Sequence, residues 1–262
     1  MAHSIYAIGD IHGRSDLLNA TLDFIEQDAR QRDLVPKVVF LGDIIDRGHS
    51  PRRCLEMVQE TLTRWPLSVF LLGNHDRYLR RAFDDAPDAN SLFNWIRNGG
   101  AITLSDFGID LDIPTDRPPQ EIYSDLAVLV SKELNARHSE TLNFLRKAKL
   151  YEVEAPYLFV HAGIRPGVPL EQQTEEDLLK IRKGFTDHFE PLPFVVVHGH
   201  SVVEYPHVWP NRIAVDTEAW DSDLLTTAVF APGIDPEFYG TDGDAIRPIE
   251  PVRHTEGALL LA

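Results

Sequence analysis

The sequence has a single cysteine, Cys54, among 262 residues. No intrachain disulfide can form, so packing alone must hold the fold. Cys54 shares helical spacing with Leu55 and Val58, which reads as a buried core thiol. Long hydrophobic runs are also missing: no segment approaches the roughly 20 apolar residues of a membrane span. Met1-Ala2-His3-Ser4 offers neither the basic start nor the apolar stretch of a secretory leader. The expectation is a cytoplasmic protein with no membrane partner. Positive charge is scarce as well. Lys and Arg number 25 against 41 Asp and Glu, a formal net charge of −16. A surface of that sign repels a phosphate backbone, which argues against nucleic acid as a partner. The sequence leaves the oligomeric state open.

What is present is apolar material, 43% of residues, enough for a sizeable core, and a junction that recurs. Ile5 to Ile8 runs into Gly9-Asp10-Ile11-His12-Gly13. Val38 to Leu41 runs into Gly42-Asp43-Ile44-Ile45-Asp46-Arg47-Gly48, and Val69 to Leu72 into Gly73-Asn74-His75-Asp76. Tyr157 to Val160 ends on His161, and Phe194 to Val197 on His198-Gly199-His200. Each is a short β-like run that delivers Asp, His or Asn at its carboxyl end, where open α/β sheets place their sites.

Between these runs the spacing predicts helices. Leu17, Leu18, Leu22, Ile25 and Ala29 give one over Asp16–Arg32, with Ser15 as its cap. Others follow over Arg52–Arg64 and Arg77–Phe83, a β-α-β-α-β series that favours parallel strands. From Asp84 to Lys149 the pattern breaks. This stretch reads as a helical insertion over the site edge, with helices at Gln120–Leu134 and Ser139–Lys147, inside a single domain. Strands are expected again at Leu150–Val153 and Tyr157–Val160, and a short helix at Glu175–Arg182. Phe194–Val197, Arg212–Val215 and Leu225–Phe230 are expected to form a second sheet packed on the first. For the tail from Pro232 to Ala262, edge strand, arm and disorder all stay open.

Carboxylate, amide oxygen and imidazole together suit hard or borderline divalent ions. Asp10 and His12 would hold one ion. Asn74, His161 and a histidine of the His198–His200 pair would hold a second, with Asp43 bridging. Two ions ~3.5–4 Å apart generate hydroxide near neutral pH, suited to in-line attack on phosphorus. His75 could then protonate the leaving oxygen, Asp46 orient it, and Arg47 bind phosphate oxygens through its forked cation. Any one of these motifs alone is weak: a lone Asp-x-His seldom binds metal, and a lone Gly-Asn-His-Asp is usually a turn. Five in order are a strong signal.

Those five motifs, Gly9–Gly13, Gly42–Gly48, Gly73–Asp76, His161–Gly163 and Gly199-His200, resemble the ordered motifs of the calcineurin-like metallophosphoesterases. The Asp-Arg-Gly ending of the second is similar to the PPP-type serine/threonine phosphoprotein phosphatases in their bacterial branch. The resemblance implies an α/β fold, a β-sandwich flanked by helices with a dinuclear site where the sheets meet. It implies Asp10, His12, Asp43, Asn74, His161 and His200 as ligands, His200 being preferred to His198 as the histidine of a Gly-His pair. It further implies His75 as general acid, Asp46 as its partner, and Arg47 as a phosphate-binding arginine. Arg182 is the best fit for a second such arginine, and Arg165 is an alternative.

The implied cofactor is a pair of divalent ions, manganese first, with iron or zinc also fitting. The implied substrates are phosphoserine and phosphothreonine in proteins, or small phosphoesters. Asp76 stands where the eukaryotic protein phosphatases usually have Glu, and an Asp ending also occurs in the related symmetrical diadenosine tetraphosphatases; those enzymes, however, typically lack the acid that Asp46 supplies here. Hydrolysis of diadenosine tetraphosphate is therefore the alternative. A metal-binding scaffold without turnover is a third reading, opposed by the retained His75 and the complete ligand set.

Overall fold

The computed structural model describes residues 3–84 and 86–255. The chain opens with β1 (His3–Ile8), α1 (Ser15–Arg32), β2 (Val35–Phe40), α2 (Pro51–Arg64), β3 (Val69–Phe70) and α3 (Asn74–Ala82). The insertion follows as α4 (Ala89–Trp95), a helical turn over Ile96–Gly100, α5 (Ala101–Asp106), α6 (Pro119–Arg137) and α7 (Ser139–Leu145). The second half carries β4 (Tyr151–Glu154), β5 (Tyr157–Val160), α8 (Glu175–Lys180), β6 (Val195–His198), β7 (His207–Val208) and β8 (Arg212–Ala214). It closes with α9 (Ala219–Ser222), β9 (Thr226–Phe230), β10 (Glu237–Asp242), β11 (Ala245–Pro248) and β12 (Val252–Arg253). Among the described residues no helix is long and apolar enough to cross a membrane.

Two six-stranded sheets result. One has the order β11-β10-β9-β1-β2-β3 and the other β12-β7-β8-β6-β5-β4. β1 runs parallel to β2, and β2 to β3. β6 likewise lies parallel to both β5 and β8. Both faces of the central strands are buried, which explains why they read as unbroken apolar runs instead of alternating ones. On β1, Ile5 and Ala7 face the second sheet, where they meet Phe159, Val197 and Ile213. Tyr6 and Ile8 face the helices, packing with Leu18, Ile25, Cys54 and Val58. The insertion joins that same helical layer through Leu92, Trp95, Leu104 and Val130. Cys54 is buried there as a free thiol.

Two sequence expectations change, and one left open is decided for the described part of the tail. Ser15 is the first residue of α1, not its cap; Arg14 precedes the helix and makes no side-chain capping bond. Leu225–Phe230 was expected in the second sheet, but β9 pairs antiparallel with β1 in the first. Its apolar residues suit either sheet, and only tertiary pairing decides between them. The tail supplies edge strands: β10 extends the first sheet beside β9, β11 follows it, and β12 lies parallel to β7 in the second. Residues 256–262 of that tail lie outside the described residues.

Candidate metal centre

The loops at the carboxyl ends of β1, β2, β5 and β6, with the start of α3, meet between the two sheets. Backbone bonds tie them together. The Ile11 and His12 N–H groups both donate to the Asp43 carbonyl, at 3.1 and 2.9 Å, and Gly199 N–H donates to the His161 carbonyl at 2.8 Å. Turning each side chain inward puts non-glycine residues into the left-handed region: His12 (φ 45°), Asp43 (50°), Asp46 (74°), Arg47 (66°) and His200 (59°). Left-handed backbone is unfavourable for such residues and concentrates at functional sites. Among the described residues, five of the eight non-glycine residues with positive φ are site candidates, which marks this as the place where the fold stores strain.

α3 starts on the third motif. Gly73 is its N-cap, and Asp76, in its first turn, accepts from Gly73 N–H at 2.9 Å. The same carboxylate takes Asp43 N–H at 2.8 Å and Ile44 N–H at 3.1 Å. Asp76 therefore holds the Asp43 loop against the helix start. A methyl built on Gly73 would overlap the Asp43 N and Oδ1 atoms, so the position needs glycine for close approach.

Two groups of potential ligands form: His12, Asp43 and His75, and Asp43, His161 and His200, with the offered atoms of each group within 4.8 Å of one another. Asp43 is common to both. Its Oδ2 lies 3.7 Å from His12 Nε2 and 3.5 Å from His161 Nε2. Asn74 Oδ1 lies 3.0 Å from His161 Nε2. Asp10 belongs to neither group; its carboxylate accepts from His200 N–H at 3.2 and 3.3 Å. Burial and the nearby Asp216 and Asp43 carboxylates raise its pKa.

The donor set fits cations. His12 Nδ1 and His161 Nδ1 face the Ile45 and Leu41 carbonyls at 2.7 and 2.8 Å. A carbonyl only accepts, so both rings carry the proton on Nδ1 and point an Nε2 lone pair inward. The His161 lone pair then confronts Asn74 Oδ1, a second acceptor, and a positive ion resolves that clash. The buried His200 Nε2 makes no hydrogen bond. Burial lowers the pKa of all three histidines, His12 to about 3, keeping them neutral as ligands must be. Burial opposes the charge of Asp43, but the positive charge that His161, His75, His12 and His200 can take up around it outweighs burial and holds the carboxyl below its ordinary range.

His75 differs from its neighbours. Its Nδ1–H donates to Asp46 Oδ2 at 2.6 Å, and its ring meets that of His12 edge-on at 4.7 Å. Burial alone would lower its pKa; the charges of Asp43 and Asp46 and the Asp46 hydrogen bond raise it instead. It is thus the one imidazole here suited to carry a proton near neutrality. Arg47 Nη2 lies 3.4 Å from His75 Nε2, and the Arg47 guanidinium sits over the Trp220 ring at 5.4 Å.

The profile of the calcineurin-like phosphoesterases matches residues 3–227. The chain belongs to that family. Among curated relatives, symmetrical bis(5'-nucleosyl)-tetraphosphatases of Yersinia pestis and Yersinia pseudotuberculosis are 31% identical over 118 residues. The match spans 39% of this chain and only 38% of the relatives' length. In fold, the phosphoesterase is similar to a candidate diadenosine tetraphosphatase (TM-score 0.59, 18% identity, 92% of this chain and 95% of the other). It is similarly close to a cold-active protein tyrosine phosphatase of a psychrophilic Shewanella (TM-score 0.56, 16% identity, 95% and 81%).

The remaining arginines of this phosphoesterase separate. Arg182 is exposed, just beyond α8, and its charge reaches His161 and His200, contributing to their lowered pKa. Arg165 is exposed and engaged elsewhere: its Nη2 and Nε donate to Asp177 Oδ1 at 2.5 and 3.1 Å. Asp177 itself caps α8 by accepting from Thr174, which gives Arg165 a structural tie. His198 is buried in β6, with its ring edge-on to Phe185 at 5.1 Å.

Two kinds of residue escaped the sequence reading. Asp216 is buried at the end of β8, where its charge acts on Asp10. The strand-end rule that found the other acids would have found this one too. Trp95 and Thr103, from the insertion, both bond Asp46, and nothing in the local sequence around them announces it.

Proposed function

We propose that this chain is a metal-dependent phosphomonoesterase of the PPP type, acting on phosphoserine and phosphothreonine in proteins. The observation that carries the reading is the Asp46–His75 pair beside the shared carboxylate Asp43. Asp10, His12, Asp43, Asn74, His161 and His200 would hold two divalent ions, manganese being the first candidate and iron or zinc fitting the same mixed donors. Such a pair, when bound, supplies an activated water and positive charge for the phosphoryl oxygens. The reading treats residues 1–262 as one domain whose insertion shapes the cleft. It places the protein in the cytoplasm, where a free thiol such as Cys54 is at home.

The chain's own groups do the rest. Arg47 binds and orients phosphoryl oxygens with its planar fork. Arg182 is the second cation for the phosphoryl group, while Arg165, tied to Asp177, is left to position α8. Asp46 holds the His75 ring by Nδ1, so that Nε2–H points at the departing oxygen. Water adds to phosphorus, the ester P–O bond breaks, and the freed oxygen takes the Nε2 proton of His75. Inorganic phosphate and the alcohol leave. Protonation of a poor leaving group by a placed acid contributes roughly 10²–10⁴-fold in rate.

A second reading rests on the curated relatives: symmetrical hydrolysis of a dinucleoside tetraphosphate. Their 31% identity over 118 residues supports it. Asp46, buried and bonded to His75, supports the first. Phosphate release from a phosphoserine peptide, compared with ADP release from diadenosine tetraphosphate under the same manganese concentration, separates them. Faster turnover of the peptide is expected. ADP release with no phosphate from the peptide would transfer the assignment to the second reading.

A further inference from the structure

The Asp46 carboxylate is fully buried, and besides His75 its partners come from one place, the insertion. Trp95 Nε1–H donates to Asp46 Oδ2 at 2.8 Å and to Oδ1 at 3.1 Å. The Thr103 hydroxyl donates to Oδ1 at 2.5 Å and accepts from Asp46 N–H at 3.1 Å. Both oxygens are therefore held, and the plane of the carboxylate cannot turn without leaving buried donors unpaired, at a cost of about 1–3 kcal/mol each.

The segment between these two residues lies on Arg47. The helical turn after α4 breaks at Gly99, whose φ is 104°. A methyl there would come within 2.8 Å of Arg47 Cγ and 3.0 Å of Arg47 N. Gly100 packs against the Trp95 indole so closely that a methyl would overlap Nε1. Trp95, Gly99 and Thr103 thus grip two successive residues of the second motif, Asp46 and Arg47, while none of them contributes to either group of potential ligands.

We infer that Trp95 and Thr103 are positioning residues that fix the Asp46–His75 pair for proton donation to the leaving oxygen, with Gly99 seating Arg47 beside it. The inference rests on the phosphoesterase reading, with His75 as the acid. It gives the insertion a second task besides shaping the cleft: it controls leaving-group protonation without touching the ions. A purely structural role would disturb every substrate alike. A positioning role weighs on substrates in proportion to how much their leaving oxygen needs a proton.

The test uses the full chain loaded with manganese and two phosphomonoesters. Para-nitrophenyl phosphate releases a stable phenolate that needs little protonation; a phosphoserine peptide releases an alkoxide that needs it fully. Thr103→Val and Trp95→Phe are each expected to lower kcat on the peptide by about tenfold or more. On para-nitrophenyl phosphate the loss should stay under about threefold, with KM little changed and metal content equal to wild type. Thr103→Ser, which keeps the hydroxyl, should restore the wild-type ratio of the two rates. Gly99→Ala, acting through Arg47, should raise KM on both substrates and leave that ratio alone.

His75→Asn is the reference. If it shows the same substrate dependence and the Trp95 and Thr103 variants do not, the clasp is wrong and the acid stands. If His75→Asn falls equally on both substrates, the acid assignment fails and takes the clasp with it. Equal losses on both substrates for Thr103→Val and Trp95→Phe, or wild-type rates for both, would overturn the inference.

Discussion

At the scale of single residues, His75 and its neighbours show how burial sorts chemically identical side chains. His12 and His161 are buried and His200 half-buried, all with Nε2 atoms free of hydrogen donors, and their pKa values fall. His75 is equally buried, but Asp43 and Asp46 push its value the other way. Three imidazoles suit a cation and one suits a proton. Replacing His75 by Asn should therefore leave metal content intact while turnover of an alkyl phosphate falls roughly 10²–10⁴-fold. Metal analysis and steady-state rates on one preparation check this, and loss of metal would contradict the assigned role. Asp43→Asn should do the reverse, weakening both ions and abolishing activity; normal metal content and rate would show that Asp43 is not shared. The ligand candidates were legible because their residue types and Gly-bounded spacing stand out from any strand-end turn. Trp95 and Thr103 were not, because what makes them matter is a contact with Asp46 across 49 and 57 residues of chain.

At the scale of elements, the site depends on how closely the start of α3 approaches the loop after β2. Asp76 stitches the two together through three backbone N–H groups, and Gly73 leaves the room. Gly73→Ala adds only a methyl, at a residue whose φ of −93° any amino acid can adopt. Its effect should therefore come from collision with Asp43 alone. Manganese affinity measured by calorimetry should drop roughly 10–100-fold, the range for disturbed support of a ligand; an unchanged affinity would mean that Asp43 need not sit where it does. The strands and long helices were readable from periodicity. α4 and α5, of 7 and 6 residues, were not: α7 and α8 are as short and were read, but α4 and α5 lie among Asn, Gly and Asp, which mask a 3.6-residue period. The sheet to which β9 belongs was also unreadable, because a strand's own sequence carries no record of its partner.

At the scale of the molecule, acid sensitivity follows from the histidines that folding holds neutral. Burial lowers His12 to about 3 and His198 to about 4, with His161 and His200 also lowered. Once unfolded, each takes up a proton below about pH 6.5. Between that value and the folded one the unfolded chain binds more protons, so stability falls as pH falls. His75 has the opposite sign: its contribution is full below about pH 6.5 and is lost as pH rises through its raised folded value. The buried carboxyls Asp10, Asp46, Asp76 and Asp216, whose values burial raises, share the His75 sign, so the comparison is made at one histidine: in metal-free protein unfolded by urea, the His198 contribution to stability should be smaller at pH 5.5 than at pH 7.5. His198 lies outside both ligand groups, so His198→Gln should remove about 1 kcal/mol from the stability difference between the two pH values, one imidazole's share over this window. An unaltered pH dependence in the variant would contradict the burial account.

The two sheets matter to function because each brings part of one candidate cation site: Asp10, His12 and Asp43 follow strands of the first sheet, His161 and His200 strands of the second. Anomalous diffraction from crystals of the full chain grown with manganese tests that convergence most directly. Two peaks ~3.5–4 Å apart, on either side of the Asp43 carboxylate, with Asp10 and His12 at one and Asn74, His161 and His200 at the other, are the predicted result. A single peak, or peaks bound only by surface carboxylates away from Asp43, would contradict it.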